Sequence, residues 1–155
     1  MISTTQAGTG AFKWLASNIP VANVAPAGGG GGQATGVIPP IAISVASPVT
    51  LVNKVQLNVE VTVTCEPFVF LNSTSASITV TEPSGHVVSE AMGQLPAFTC
   101  DGSPHTYGLS LIASNVPFRP GTGVAHSSAV ATGDINLGAF SSVTGTNTQT
   151  VDIAK

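Results

Sequence analysis

The chain is predicted to be all-β, an antiparallel sandwich of seven to eight strands preceded by an extended N-terminal arm. Three observations carry this. The stretch "VQLNVEVTVTC" alternates apolar and polar residues over its whole length, which is the period of a half-buried strand. Further short alternating runs follow, each separated from the next by turn-forming residues. No segment after residue 40 has the three-and-four spacing of a long helix.

Residues 1–36 read as the arm. Within "AFKWLASNIPVANV", Phe12, Leu15 and Ile19 lie three and four apart with Trp14 beside them, enough for one or two turns of helix before Pro20 breaks the run. Such a helix is too short to stand alone. Five consecutive glycines then stand within "APAGGGGGQATGVIPP". They act either as a flexible tether or as a backbone that passes close against another surface. The apolar cluster Phe12, Trp14, Leu15 and Ile19 is therefore expected either to fold back on its own domain or to plug into a neighbouring protein, with the aromatic residues as anchors.

Residues 37–155 read as the sandwich domain. Its first strand is expected over Ile41–Ser47. The second puts Val55, Leu57, Val59, Val61, Val63 and Cys65 on one face and Gln56, Asn58, Glu60, Thr62 and Thr64 on the other. The segment "FLNSTSAS" reads as a loop carrying the sequon Asn72-Ser73-Thr74. Strands follow over Ser75–Thr81, with Ala76, Ile78 and Val80 inward, then Val87–Met92, Ala97–Cys100, and Thr106–Ala113 with Tyr107, Leu109 and Leu111 alternating. The last two are Gly123–Ala131 and Gln149–Ile153. Turns are expected at "EPSG" (82–85), "DGSP" (101–104), "RPGTG" (119–123) and "TGD" (132–134). Strand number and spacing indicate an immunoglobulin-like architecture. Trp14 lies in the arm, so the tryptophan that packs on the disulfide of antibody domains has no counterpart in the sandwich.

Composition narrows the function. Charged residues make up 7% of the chain, against about 25% in an average soluble domain, so Ser, Thr, Asn, Gly and Ala must cover the surface. Four basic residues, Lys13, Lys54, Arg119 and Lys155, are scattered along a chain of net charge -3, and no basic stripe exists to track phosphates, which argues against nucleic acid. No apolar run approaches a membrane span. The start "MISTTQAGTG" lacks the basic and Leu/Ala-rich regions of an export signal.

Cys65 and Cys100 either form a disulfide, across the facing sheets as in immunoglobulin-like domains, or remain two buried thiols. A bond would close a loop worth about 4 kcal/mol in the chain-entropy model and would imply an oxidising final environment. Asp101 and His105 flank the turn after Cys100. They could form half a metal site or a cysteine–histidine pair; structurally, Asp101-Gly102 is a preferred turn pair, and His105 can cap it by bonding its backbone. The three histidines have no short-range ligand spacing, the seven carboxylates lie on separate elements, and no nucleophile elbow, phosphate loop or zincin motif occurs. No catalytic residue, metal or cofactor is expected.

"CDGSPHTYGLSLIASNVPFRPGTGVA", 100–125, resembles a family of secreted actinobacterial β-sandwich proteins with a Cys-Asp-Gly-x-x-His-x-aromatic turn followed by a Phe-x-Pro-Gly turn. The matching positions are Cys100, Asp101, Gly102, His105 and Tyr107, then Phe118, Pro120 and Gly121, with Cys65 as upstream partner. Tyr107 stands where that family more often has Trp. The resemblance, over about residues 50–131, implies a disulfide-bonded immunoglobulin-like fold and supplies no established activity to carry over.

These readings converge on a non-enzymatic structural protein of an assembly, a phage virion surface protein of the capsid-decoration type whose protein neighbours are its own copies or a capsid-like lattice. The alternative is a secreted or cell-envelope ligand-binding module. A third, from another class, is a small metal-dependent or hydrolytic enzyme using His105 and Asp101.

Overall fold

The computed structural model describes residues 38–135 and 138–155. The chain divides into two units, Met1–Val37 and Ile38–Lys155. The arm with Phe12, Trp14, Leu15 and Ile19 lies outside the described residues.

The second unit is all-β and sandwich-like, with no helix among the described residues. Its strands are β1 (Ala42–Val45), β2 (Val49–Asn53), β3 (Gln56–Thr64), β4 (Phe70–Ser84), β5 (Val87–Leu95), β6 (Pro104–Ala113), β7 (Gly121–Asp134) and β8 (Phe140–Ala154). In one layer, β3 pairs along its length with β6 and on its other edge with β1 and then β2. In the other layer the order is β8-β7-β4-β5. All these pairings are antiparallel.

Two short pairings join the layers at opposite corners. Val49 and Thr50 run parallel to Ile153 and Ala154, and Ala91 and Met92 oppose Ala113 and Ile112. The hydrogen-bonded circuit therefore closes, which removes most of the free strand edge that would invite unwanted pairing. Where the ladder lapses beside β1, a side chain replaces it: Gln149 Oε1 accepts from the Val45 amide at 3.0 Å, and Gln149 Nε2 donates to the Val45 carbonyl at 2.8 Å.

Period-two alternation builds the core. Leu57, Val59, Val61 and Val63 of β3 are buried, while Asn58 and Glu60 between them are exposed. They face a layer with small inward residues, Ala76, Ala91, Ala125, Ala129 and Ala131, among Ile78, Val80 and Val151. Bulky residues on one sheet against small ones on the other keep the layers close without voids. Phe98 and Phe118, 5% and 0% exposed, fill the two ends.

Several expectations need correction. Val55 does not continue the buried face of β3: it sits in the tight turn after β2, 48% exposed, because a two-residue hairpin turns there. Strand β2, Val49–Asn53, has no counterpart among the expected strands. Strand β4 takes in "FLNSTSAS" and the first three residues of "EPSG", so the turn is shifted to Gly85–His86, where Gly85 has φ of 69°. Asn72 lies at the register shift between Leu71 and Ser73, so the sequon is on a bulged strand.

Ala97–Cys100 is irregular rather than a strand. The backbone groups of Phe98 are bonded by a side chain instead: its amide donates to Thr74 Oγ1 at 2.7 Å, and its carbonyl accepts from the same hydroxyl at 3.0 Å. Strand β7 runs through "TGD", whose turn lies after Asp134, and β8 begins at Phe140 rather than Gln149.

Candidate functional site

Cys65, Cys100, Asp101, Gly102 and His105 gather at one end of the sandwich, where β3 ends and β6 begins. Cys65 follows β3, Cys100 precedes β6, and the two form a disulfide. β3 and β6 are hydrogen-bonded neighbours, with Thr64 opposite Pro104. The disulfide therefore joins two strands of one sheet instead of bridging facing sheets, a correction to the immunoglobulin analogy. Its task differs accordingly: it pins the crossover loop 96–103 to β3, while Thr74 of the opposite layer holds the same loop at Phe98.

Asp101 opens the turn. Its Oδ1 accepts from the Ser103 amide at 2.8 Å, and Gly102, at φ of 87°, occupies the left-handed region that a side chain rarely adopts. The Gly102 amide donates to the Cys65 carbonyl at 2.9 Å. His105 Nε2 lies 3.0 and 3.1 Å from the two Asp101 carboxylate oxygens. It thus ties the turn through the Asp101 side chain and not through the backbone. The Ser103 amide, then His105, hold the Asp101 carboxyl below its ordinary value. Tyr107 presents its hydroxyl as acceptor for the Thr99 amide at 2.9 Å.

This arrangement does structural work. Both sulfurs are in the disulfide, so neither is a thiolate nucleophile. His126 Nδ1 is within 2.8 Å of Thr148 Oγ1 on the outer face of the other layer, and His86 is in the hairpin turn at the opposite end. Among the described residues no three His, Cys, Asp or Glu side chains converge on a point that could hold a metal ion, and no helix is long and apolar enough to cross a membrane.

Two surface features were missed by sequence reasoning. The first is a lattice of hydroxyls on the outer face of β4, β7 and β8. Its rungs are Ser73–Thr132–Ser142, Ser75–Val130–Thr144, Ser77–Ser128–Thr146, Thr79–His126–Thr148 and Thr81–Val124–Thr150. Only Val130, His126 and Val124 lack a hydroxyl on these rungs, and no Lys, Arg, Asp or Glu interrupts them. Cross-strand bonds such as Ser73 to Thr132 at 2.8 Å and Ser77 to Ser128 at 3.1 Å knit it together. The signal was present as "TGTNTQT", whose alternation is polar on its visible face.

The second feature ends that lattice. Phe70 lies opposite Asp134, which lies opposite Phe140, so an aromatic residue flanks the carboxylate on either side. Each aromatic is 69% exposed, beside Val69 and Leu71. Its local sign in the sequence is "FVFLN", an apolar run directly before the sequon.

No known protein family matches the chain, and no curated protein does.

Proposed function

We propose that the chain is a non-enzymatic structural protein of a macromolecular assembly, a virion surface protein of the capsid-decoration type from a phage of an actinobacterial host. Residues 1–36 serve as the attachment device and the sandwich as the displayed part. The observation that carries this reading is the hydroxyl lattice: five successive rungs of β4, β7 and β8 without a formal charge, tied by cross-strand hydroxyl bonds, suit a passive exterior more than a reaction site. The disulfide supports it, since such bonds persist in oxidising surroundings. Neighbours in the assembly are proteins, met through Phe12, Trp14, Leu15 and Ile19.

The test uses the full chain. In particles banded by density gradient from a lysate of the host, the wild type should travel with the capsid protein, and an F12S/W14S variant should stay in the soluble fractions. Equal banding of both would remove the arm from the attachment. Absence of the wild type from particles would remove the virion reading.

A second reading, a secreted or cell-envelope binding module, is favoured by one feature. A cleft of about 610 Å³ on the outer face of the β3 layer is lined by Ser47, Pro48, Thr50, Asn58, Glu60 and Ser110. Gly108 leaves it open, since a Cβ there would meet nothing within 4 Å. Polar groups converging on a concavity are what a small ligand needs. A glycan screen in which T50A/S110A loses a ligand that the wild type binds would support this reading, and a blank screen would count against it.

A further inference from the structure

Closure of the circuit is incomplete along β6. β5 meets this strand only at Ile112 and Ala113, and over 105–111 its one bonded neighbour among the described residues is β3. The phase of that ladder fixes which backbone groups remain open. The Ala113 amide donates to the Val55 carbonyl at 2.9 Å, and the Ser114 amide donates on the opposite side to the Glu90 carbonyl at 2.8 Å. Backbone groups alternate between the two edges of a strand, so those of Thr106, Gly108 and Ser110 point away from β3. All three residues are exposed. Natural sheets blunt such an edge with charge, proline or a bulge, whereas β6 over 105–111 has no Lys, Arg, Asp, Glu or Pro and keeps an unbroken register.

The outer face beside this edge holds one unanswered charge. Glu60 is the only Asp, Glu, Lys or Arg on β1, β2, β3 and β6. The rows on either side of it are bonded within themselves, Thr62 to Thr106 at 3.0 Å and Ser110 to Asn58 at 2.8 Å. Glu60 instead stands between Ala46, whose amide donates to the Glu60 carbonyl, and Gly108. Neither neighbour offers a polar side chain, and among the described residues the Glu60 carboxylate enters no ion pair. A Cβ at Gly108 would meet nothing within 4 Å, so the cleft lies open between the carboxylate and the strand edge.

An added strand would put both features to one use. Its residue opposite Gly108 stands two strand spacings, about 10 Å, from Glu60, and a lysine there reaches over the glycine to the carboxylate. The residues before and after that lysine turn to the inner face, beside the half-buried Tyr107 and Leu109, where apolar side chains fit. A second copy of β6 is the wrong occupant. It carries no Lys or Arg, so pairing edge to edge would leave Glu60 without a cation and bring another Glu60 to the same face.

We propose that the β6 edge docks an extended segment of a neighbouring protein, with a lysine opposite Gly108 and an apolar residue on each side of it. This names the chemistry of one neighbour and rests on the assembly reading only in expecting protein neighbours; the contact uses the described domain, not the arm.

Nuclear magnetic resonance of the full-length protein with the blocked peptide acetyl-Val-Thr-Val-Lys-Val-Thr-Val-amide tests this. The Thr106, Gly108 and Ser110 amides should shift and exchange with solvent at least about tenfold more slowly. The same peptide with Glu in place of Lys should bind about tenfold more weakly, and E60Q should erase that preference. G108P removes an amide that serves no bond to β3, and it should abolish binding of both peptides. Particles play no part in this measurement, so it can fail while the attachment reading stands, and the reverse.

Unchanged exchange at the three amides, or an E60Q protein that still prefers the lysine peptide, would overturn the proposal. So would n-butylamine binding as tightly as the peptide, because the edge would then add nothing. Protection of the same amides by self-association of the wild type would overturn it in favour of a second copy. Far-UV circular dichroism checks the fold of each variant; if G108P does not fold, E60Q with the two peptides decides the matter, since the Glu60 side chain is exposed.

Discussion

Asp101 shows what a single residue contributes at the pinned end. Its carboxylate receives the Ser103 amide and His105 Nε2, so the folded protein binds its proton less tightly than the unfolded chain does. The stabilisation this provides is present above 3.8, the ordinary value, and is lost as pH falls through the lower folded value. Thermal midpoints measured across the acid range should therefore fall more steeply for the wild type than for D101N below 3.8. Superimposable curves would show that the turn draws nothing from this charge. The Asp-Gly pair announced the turn in sequence. The partner of His105 was not readable, because whether an imidazole meets a backbone group or a carboxylate four residues away depends on how the turn is closed.

At the scale of elements, β3 and β8 mark the two extremes of legibility. β3 buries one face and exposes the other, so its alternation wrote its boundaries into the sequence, apart from Val55 in the turn. β8 buries only Gly145, Val151 and Ile153 along its length, and its first half looks like a polar loop. What makes it a strand is the long ladder to β7 and the crossing of Ile41, whose amide donates to the Thr144 carbonyl at 3.2 Å. Gly145 permits that crossing: a Cβ would come within 2.7 Å of the Ile41 carbonyl carbon and closer still to its oxygen. Gly145→Ala should cost about 3 kcal/mol, in the range of overpacked sites, read from the midpoint of urea unfolding. A loss below about 0.5 kcal/mol, the range of neutral surface substitutions, would mean that the Ile41 segment is free to step aside.

For the whole molecule, closure is the organising fact. Two corners of two residue pairs each join the layers, and the disulfide fixes the loop 96–103 between them. The bond closes a span of 35 residues, so reduction, or the C65A/C100A variant, should lower stability by about 4 kcal/mol in the chain-entropy model, measured by urea titration with and without reductant. An effect under about 1 kcal/mol would mean that Thr74 and the β3–β6 ladder already hold the loop in place.

Local pattern suffices for the all-β class, the buried face of β3, the inward residues of β4 and the Asp-Gly turn, because each depends on local period or on the backbone freedom of a few residues. Tertiary structure alone decided that the cysteines join neighbouring strands of one sheet, that polar segments such as 140–148 become strand, that Phe70 and Phe140 flank one carboxylate, and that Lys54 and Arg119 share a cleft. The reason is physical: pairing partners and cross-strand rungs are set by which distant segments bury one another's edges, and a linear pattern records the faces of a strand but not its neighbours.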